Sequence, residues 1–160
     1  MALENQYYLD GIDLWTTFGI TIRKGGLNDF LRLPKRKDSI NHDWLDEDGL
    51  DIDLTRNFYA PKDITLPCFI VADTEDLFWQ QYNNFLNVLK RPGTRRFSVS
   101  VFGYDYYVYY RECVLYEKLT PFKQTGKLFC QFTLVVVEVK PGFGNKSTFL
   151  IDETNRFLIT

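Results

Sequence analysis

Residues Asp73–Lys90, reading DTEDLFWQQYNNFLNVLK, are the one stretch of this sequence with a sustained helical signature. Phe78, Tyr82, Phe85, Leu86 and Leu89 recur at helical spacing, while Gln80, Asn83, Asn84 and Asn87 repeat that spacing on the other side. One face is therefore apolar and the other wet. The ends agree: Asp73 or Thr74 can cap free amides, Glu75 and Asp76 fall in the positive first turn, and Lys90 and Arg91 fall at the negative end. Pro92-Gly93 then stops the helix. A helix over 74–90 is a rod of roughly 25 Å. Everything that flanks it reads as strand, which predicts a mainly β chain: an antiparallel sandwich or open barrel with one flanking helix.

Upstream, Gln6 to Arg23 (QYYLDGIDLWTTFGITIR) predicts strand, turn, strand, with Asp10-Gly11 as the turn and Phe18, Ile20 and Ile22 on one face. The region 27–59 is weakly periodic and carries a basic cluster, Arg32, Lys35, Arg36 and Lys37. An acidic one follows: Asp43, Asp46, Glu47, Asp48, Asp51 and Asp53. A loop of that length inside a small domain is usually a functional or interaction element. The alternation of Leu50, Ile52 and Leu54 with Asp51, Asp53 and Thr55 predicts a projecting hairpin turning near Asp48-Gly49.

Ile64, Leu66, Cys68 and Ile70 mark a strand leading into the helix, and Pro67 places it at an edge or a bulge. After the helix, Phe97, Val99 and Val101 alternate with polar residues up to a turn at Gly103-Tyr104-Asp105, followed by a strand over 106–117. The last long strand, Lys127–Val139, starts with one apolar face and becomes apolar on both from Leu134 to Val137. Its second covering is either the helix or a neighbouring subunit. We therefore read a β domain over 1–142, containing the charged hairpin loop at 27–59, and a carboxyl-terminal extension or arm at 143–160.

Aromatic residues make up 17% of the chain, with ten Tyr and fourteen Phe, which suits half-buried strands. The net charge of −2 gives no electrostatic reason to expect nucleic-acid binding. Cys68, Cys113 and Cys130 are widely spaced in apolar runs and read as reduced, buried thiols. The first residues show neither a basic start nor an apolar run, and no apolar stretch approaches the roughly 20 residues of a membrane span. A soluble protein made in the cytoplasm, without membrane contact, is expected. Asn145-Lys146-Ser147 matches a glycosylation sequon, which without secretion is a chance match.

His42, the single histidine, sits in the charged loop with no second His and no clustered Cys, so a zinc or iron site would lack its ligands. The acidic run fails an EF-hand alignment: with Gly49 at the sixth position, Trp44 falls at the first and Thr55 at the twelfth. No nucleophile elbow, phosphate-binding glycine loop or dinucleotide fingerprint is present. Neither enzyme nor cofactor is expected. The acidic run reads either as a solvated loop or as the partner of a neighbouring subunit's basic cluster.

The order of parts is more specific than any one residue. YYLDGIDLWTTFGITI, a charged hairpin loop with Asp46 to Gly49 before a strand, KDITLPCFIV, one amphipathic helix, and LNVLKRPGTRRFSVSVFGYDYYVYY together resemble the distal tail proteins of long-tailed bacteriophages, and more broadly their tail-tube-like family. The resemblance covers about 5–140. It implies a barrel or sandwich with one helix that assembles with itself into a ring, usually a hexamer, around a channel through which DNA passes without specific binding.

Such a ring joins the tail tube to the tip or baseplate, with the tape-measure protein and the hub as partners. It belongs to the virion tail and is assembled in the host cytoplasm, from a phage or a prophage. The family has no catalytic residues to carry over. Many members add a carbohydrate-binding-like domain after the region matched here, whereas this sequence continues only to Thr160, so glycan binding of that kind is not expected.

Read from the residues, the candidate subunit interface comprises Arg32, Lys35, Arg36, Lys37, Asp46, Asp48, Asp51, Val135, Val137 and Val139. The competing reading is a monomeric binding module for glycan or peptide, with Tyr104, Tyr107 and Tyr109 as an aromatic surface.

Overall fold

The structure is a computed structural model that describes residues 6–43, 45–46, 48–49, 51–120, 126–141, 150–151 and 157–158. In chain order its elements are β1 (Tyr7–Leu9), β2 (Ile12–Asp13), α1 (Leu14–Phe18), β3 (Ile20–Ile22), α2 (Asn28–Leu31), β4 (Asn41–His42) and β5 (Asp51–Ile52). There follow β6 (Lys62–Ala72), α3 (Glu75–Leu89), β7 (Arg95–Val99), β8 (Tyr104–Lys118), β9 (Leu128–Glu138), β10 (Leu150–Ile151) and β11 (Phe157–Leu158).

Seven strands form one antiparallel sheet in the order β2-β1-β7-β8-β9-β6-β3. The two edge strands are consecutive in sequence and joined only by α1. Laid flat at about 4.8 Å per strand, the edges would stand roughly 29 Å apart. A five-residue helix with short flanks reaches only about 15 Å. The sheet must therefore curl until its edges approach, which makes it an open barrel.

The core cluster draws on the inner faces of β1, β3, β6, β7, β8 and β9 together with Phe78, Phe85 and Val88 of α3. The void left at its centre, about 10 Å³, is no larger than one water. α3 packs against α1 and β6. Thr74 caps it by accepting a hydrogen bond from the Leu77 amide at 3.2 Å, and Phe85 packs edge-on against Phe18 of α1, with ring centres 5.6 Å apart.

One expectation fails locally. The second amino-terminal strand is interrupted by α1, whose N-cap Asp13 accepts from the Thr16 amide at 2.8 Å. Leu14 and Phe18 are buried one helical turn apart, so Phe18 belongs to a helix and its apparent alternation with Ile20 and Ile22 was coincidence of spacing. Gly19 ends the turn at φ 63°, and a Cβ there would come within 2.4 Å of the Val71 carbonyl. Both the backbone angle and the close approach demand glycine.

Pro67 marks the point where β3 runs out. β3 pairs with residues 68–70 of β6, and the Arg23 amide then donates to the Pro67 carbonyl at 2.8 Å. The reciprocal donor is missing because proline has none. The Arg23 carbonyl instead accepts from Gly26 at 2.9 Å, turning the chain away. Residues 62–66 of β6 thus keep β9 as their strand partner on one side only. α2 covers the other side with side chains. Asp29 accepts from the Thr65 amide at 2.9 Å and Arg32 donates to the Asp63 carbonyl at 2.6 Å, which blunts an edge that would otherwise invite pairing.

Candidate assembly surface

The region after α2 leaves the barrel as a two-stranded ribbon. The Ala60 amide donates to the Lys35 carbonyl and Lys37 to Phe58, each at 2.8 Å. Asn41 and His42 pair with Ile52 and Asp51 farther out. Arg32, Lys35, Arg36, Lys37, Asp46 and Asp48 are all exposed along it. Among the described residues no ion pair joins the basic cluster to the acidic one; Arg36 donates to Ser39 instead, at 2.9 Å. Asp53 accepts from both the side chain and the amide of Thr55, which holds its carboxyl below the usual carboxylate range. Glu47 and Leu50 lie outside the described residues, as does the arm at 143–160 apart from its short β10–β11 pairing.

The base of the ribbon is fixed by a buried charge pair. The Lys62 ammonium donates to the carbonyls of Phe30 at 3.0 Å and Arg32 at 3.3 Å. It lies 3.1 Å from the Glu138 carboxylate, whose near oxygen makes no hydrogen bond, so that contact is an ion pair alone. Phe30 is driven into the barrel end between Phe97 and Tyr106, at centroid distances of 5.2 and 4.5 Å. α2 is thereby nailed to the sheet, and the ribbon's origin with it.

Beside this base the two-faced strand β9 finds its cover. Val135 and Val137 are 8% and 3% exposed within the single chain. Arg111 on β8 reaches Asp63 on β6 at 2.6 Å. Those strands flank β9 on opposite sides, so the Arg111 side chain must cross β9 over these two valines. Neither of the two expected covers, helix or neighbouring subunit, is needed: an ion-paired strap shields them. Val139, 39% exposed, is the one of the three candidate valines that reaches solvent.

The unprotected surface lies instead on β8. β7 is five residues long and pairs with Tyr104–Val108 only. From Tyr109 to Lys118, β8 is bonded to β9 on one side, and every residue of that stretch is exposed. Val114, Leu115 and Tyr116 are 57%, 45% and 46% exposed. Two irregularities, between Tyr110 and Glu112 and between Cys113 and Leu115, set Arg111 and Val114 out of register. Such bulges twist an edge without covering it. Between this edge and α3 runs an apolar groove of about 240 Å³, lined by Tyr82, Leu86, Tyr110, Cys113 and Tyr116 among others.

The tyrosines divide between two faces. Tyr107 and Tyr109 point outward and are 49% and 43% exposed. Tyr104 packs against the core, so the three do not form one surface. Partial burial pushes the Cys113 thiol and the Tyr116 hydroxyl, both lining the groove, above their ordinary ranges. Among the described residues no group of His, Cys, Asp and Glu is close enough to hold a metal ion, and no helix is long and apolar enough to cross a membrane.

The open edge was missed as a site, although its signal was present. A hairpin turning at 100–103 and starting just after Pro92-Gly93 has only five residues to lay against a strand of fifteen.

No family model and no curated protein matches the sequence. Among solved structures, the chain is similar to SPP1 Dit (gp 19.1), described as a paradigm of the hub adsorption apparatus in phages infecting Gram-positive bacteria. The TM-score is 0.53 at 17% identity, over 82% of this chain and 48% of that one. This chain therefore spans about half the length of that protein, and the likeness is one of fold.

Proposed function

We propose that this chain is a structural subunit of a phage or prophage-derived tail that assembles with itself into a ring between the tail tube and the distal tip. The observation that supports this reading is the likeness of the curled sheet and its helix to a distal-tail hub protein over most of the chain. The exposed edge of β8 gives the likeness a physical use. A long, apolar, half-paired strand is a liability in a lone molecule and an asset in a closed assembly. Contacts that join different surfaces of neighbouring copies close into rings when the rotation allows. A hexamer is the size we assign, with the tube, tape-measure and hub proteins as axial neighbours.

Nothing in this role needs a catalytic group or a cofactor. The net charge of −2 suits a channel wall past which DNA slides without being gripped. Arg32, Lys35, Arg36, Lys37, Asp46, Asp48 and Asp51 on the ribbon, with Val139, are the charged and apolar rim of the proposed contact. Size-exclusion chromatography with light scattering, together with negative-stain imaging, tests the proposal. Closed rings at high concentration or beside a tail partner are expected. A strict monomer under both conditions overturns it.

A further inference from the structure

The structure holds two unfinished pieces of sheet. Tyr109–Lys118 of β8 is bonded to β9 on one side. Beyond the end of β9 the chain forms the short hairpin β10–β11, in which Leu150 pairs with Leu158 and Ile151 with Phe157. Among the described residues that hairpin joins no strand of the seven-stranded sheet. We infer that the carboxyl-terminal arm of one copy, residues 143–160, adds to the open β8 edge of the next copy as a further strand. This inference rests on the ring reading and names the contact that builds it.

Pairing, composition and direction favour that occupant. A hairpin of two short strands is marginal in water and gains from a third. The open edge can supply it, because an added strand makes main-chain hydrogen bonds on the side of β8 away from β9. The arm is apolar where it pairs: Phe149, Leu150 and Ile151 are repeated as Phe157, Leu158 and Ile159, and Val114 and Leu115 stand exposed on the receiving stretch of β8. The Val139 amide donates to the Tyr107 carbonyl at 3.4 Å, so the arm departs on the β9 side of β8, whereas the open edge is the other side. Each copy thus carries arm and edge on opposite sides of one strand, the arrangement that a head-to-tail contact closing into a ring requires. Leu150 follows Val139 by eleven positions, a tether of up to about 36 Å, ample to reach a copy packed alongside.

Cys113 supplies the test, because it lies on the open stretch and is exposed while Cys68 and Cys130 are buried. Full-length Ile151→Cys and Leu158→Cys chains are treated with a short bismaleimide and run under denaturing conditions. A ladder of covalent oligomers ending at the ring number is expected from at least one of them, and none when Cys113→Ser is added. Phe157→Asp should weaken self-association at least tenfold while leaving the thermal midpoint of the monomer in place, and Phe157→Leu should retain association. Cross-links confined to single chains at every concentration would put the arm on its own edge and overturn the exchange between copies. Rings that give no ladder from either chain and are indifferent to Phe157→Asp also overturn it, and leave the ring. A wild-type chain that stays monomeric at every concentration and beside a tail partner overturns both.

Discussion

The two halves of β8 share a strand and a composition, yet they meet opposite fates. Tyr104–Val108 is paired with β7, Val108 also meeting Glu138 of β9, and its inward residues Tyr106 and Val108 are 6% and 1% exposed. Tyr109–Lys118 is held on one side and exposed throughout. Both halves are rich in tyrosine and valine, so hydrophobicity does not separate them. The difference lies in the neighbour: the first half lies beside β7, where Phe97 pairs with Tyr106 and Phe30 of α2 packs on it, and Pro92-Gly93 limits β7 to five residues, so the second half, paired with β9, has no second strand beside it among the described residues. Burial thus depends on what packs beside the strand, and an apolar residue beyond the end of its neighbour is available to another molecule.

If the closed half is the structural one, its supports should be costly to remove. Phe30→Ala, which empties the space between Phe97 and Tyr106, is expected to cost about 3–5 kcal/mol in urea denaturation. A loss below about 1 kcal/mol would mean that α2 does not close the barrel end. Glu138→Ala strands the buried Lys62 ammonium beside two carbonyls. It should cost about 3 kcal/mol, whereas Lys62→Met with Glu138→Leu should recover most of the loss, because a buried pair offers little net stability over apolar replacements.

A pH titration sharpens the same contrast. Burial raises the Cys68 thiol well above its ordinary range, so its contribution is complete below about pH 9 and lost as the pH rises further, since the unfolded chain ionises first. Stability should decline on the alkaline side, with a shallower slope in Cys68→Ala. An unchanged slope in that variant would assign the decline to other groups, Tyr116 first among them.

Much of this architecture was legible in the residues. The spacing from Phe78 to Leu89 placed α3, and the alternation in β6, β7 and β9 placed the sheet, because each pattern reflects local chain geometry. α1 was not legible: five residues between Asp13 and Gly19 fit a strand or a single helical turn equally well, and the Val71 carbonyl that decides for glycine comes from a distant strand. The cover over Val135 and Val137 was hidden for the same reason. It comes from an Arg111–Asp63 pair separated by 48 positions, which no local pattern encodes. The split of the tyrosines at 104, 107 and 109 was legible from period two alone, since their odd and even numbers assign Tyr104 to the face opposite the other two.

The smallest expected effect on folding is the most informative about the two halves of β8. Val108→Ala and Val114→Ala make the same chemical change six residues apart on one strand. Val108 is buried at 1%, so its truncation should cost about 2 kcal/mol from lost transfer and the cavity left behind. Val114 is 57% exposed and out of register with β9, and its truncation should change monomer stability by less than about 0.5 kcal/mol. Leu115→Lys belongs with Val114: it places a charge where side chains already meet water, and should leave the denaturation midpoint unmoved. Its consequence should appear only in self-association, where a buried lysine without a partner is strongly disfavoured. Equal losses at Val108 and Val114 in the monomer would show that the open half is already covered by its own chain, and the asymmetry on which the assembly surface rests would vanish.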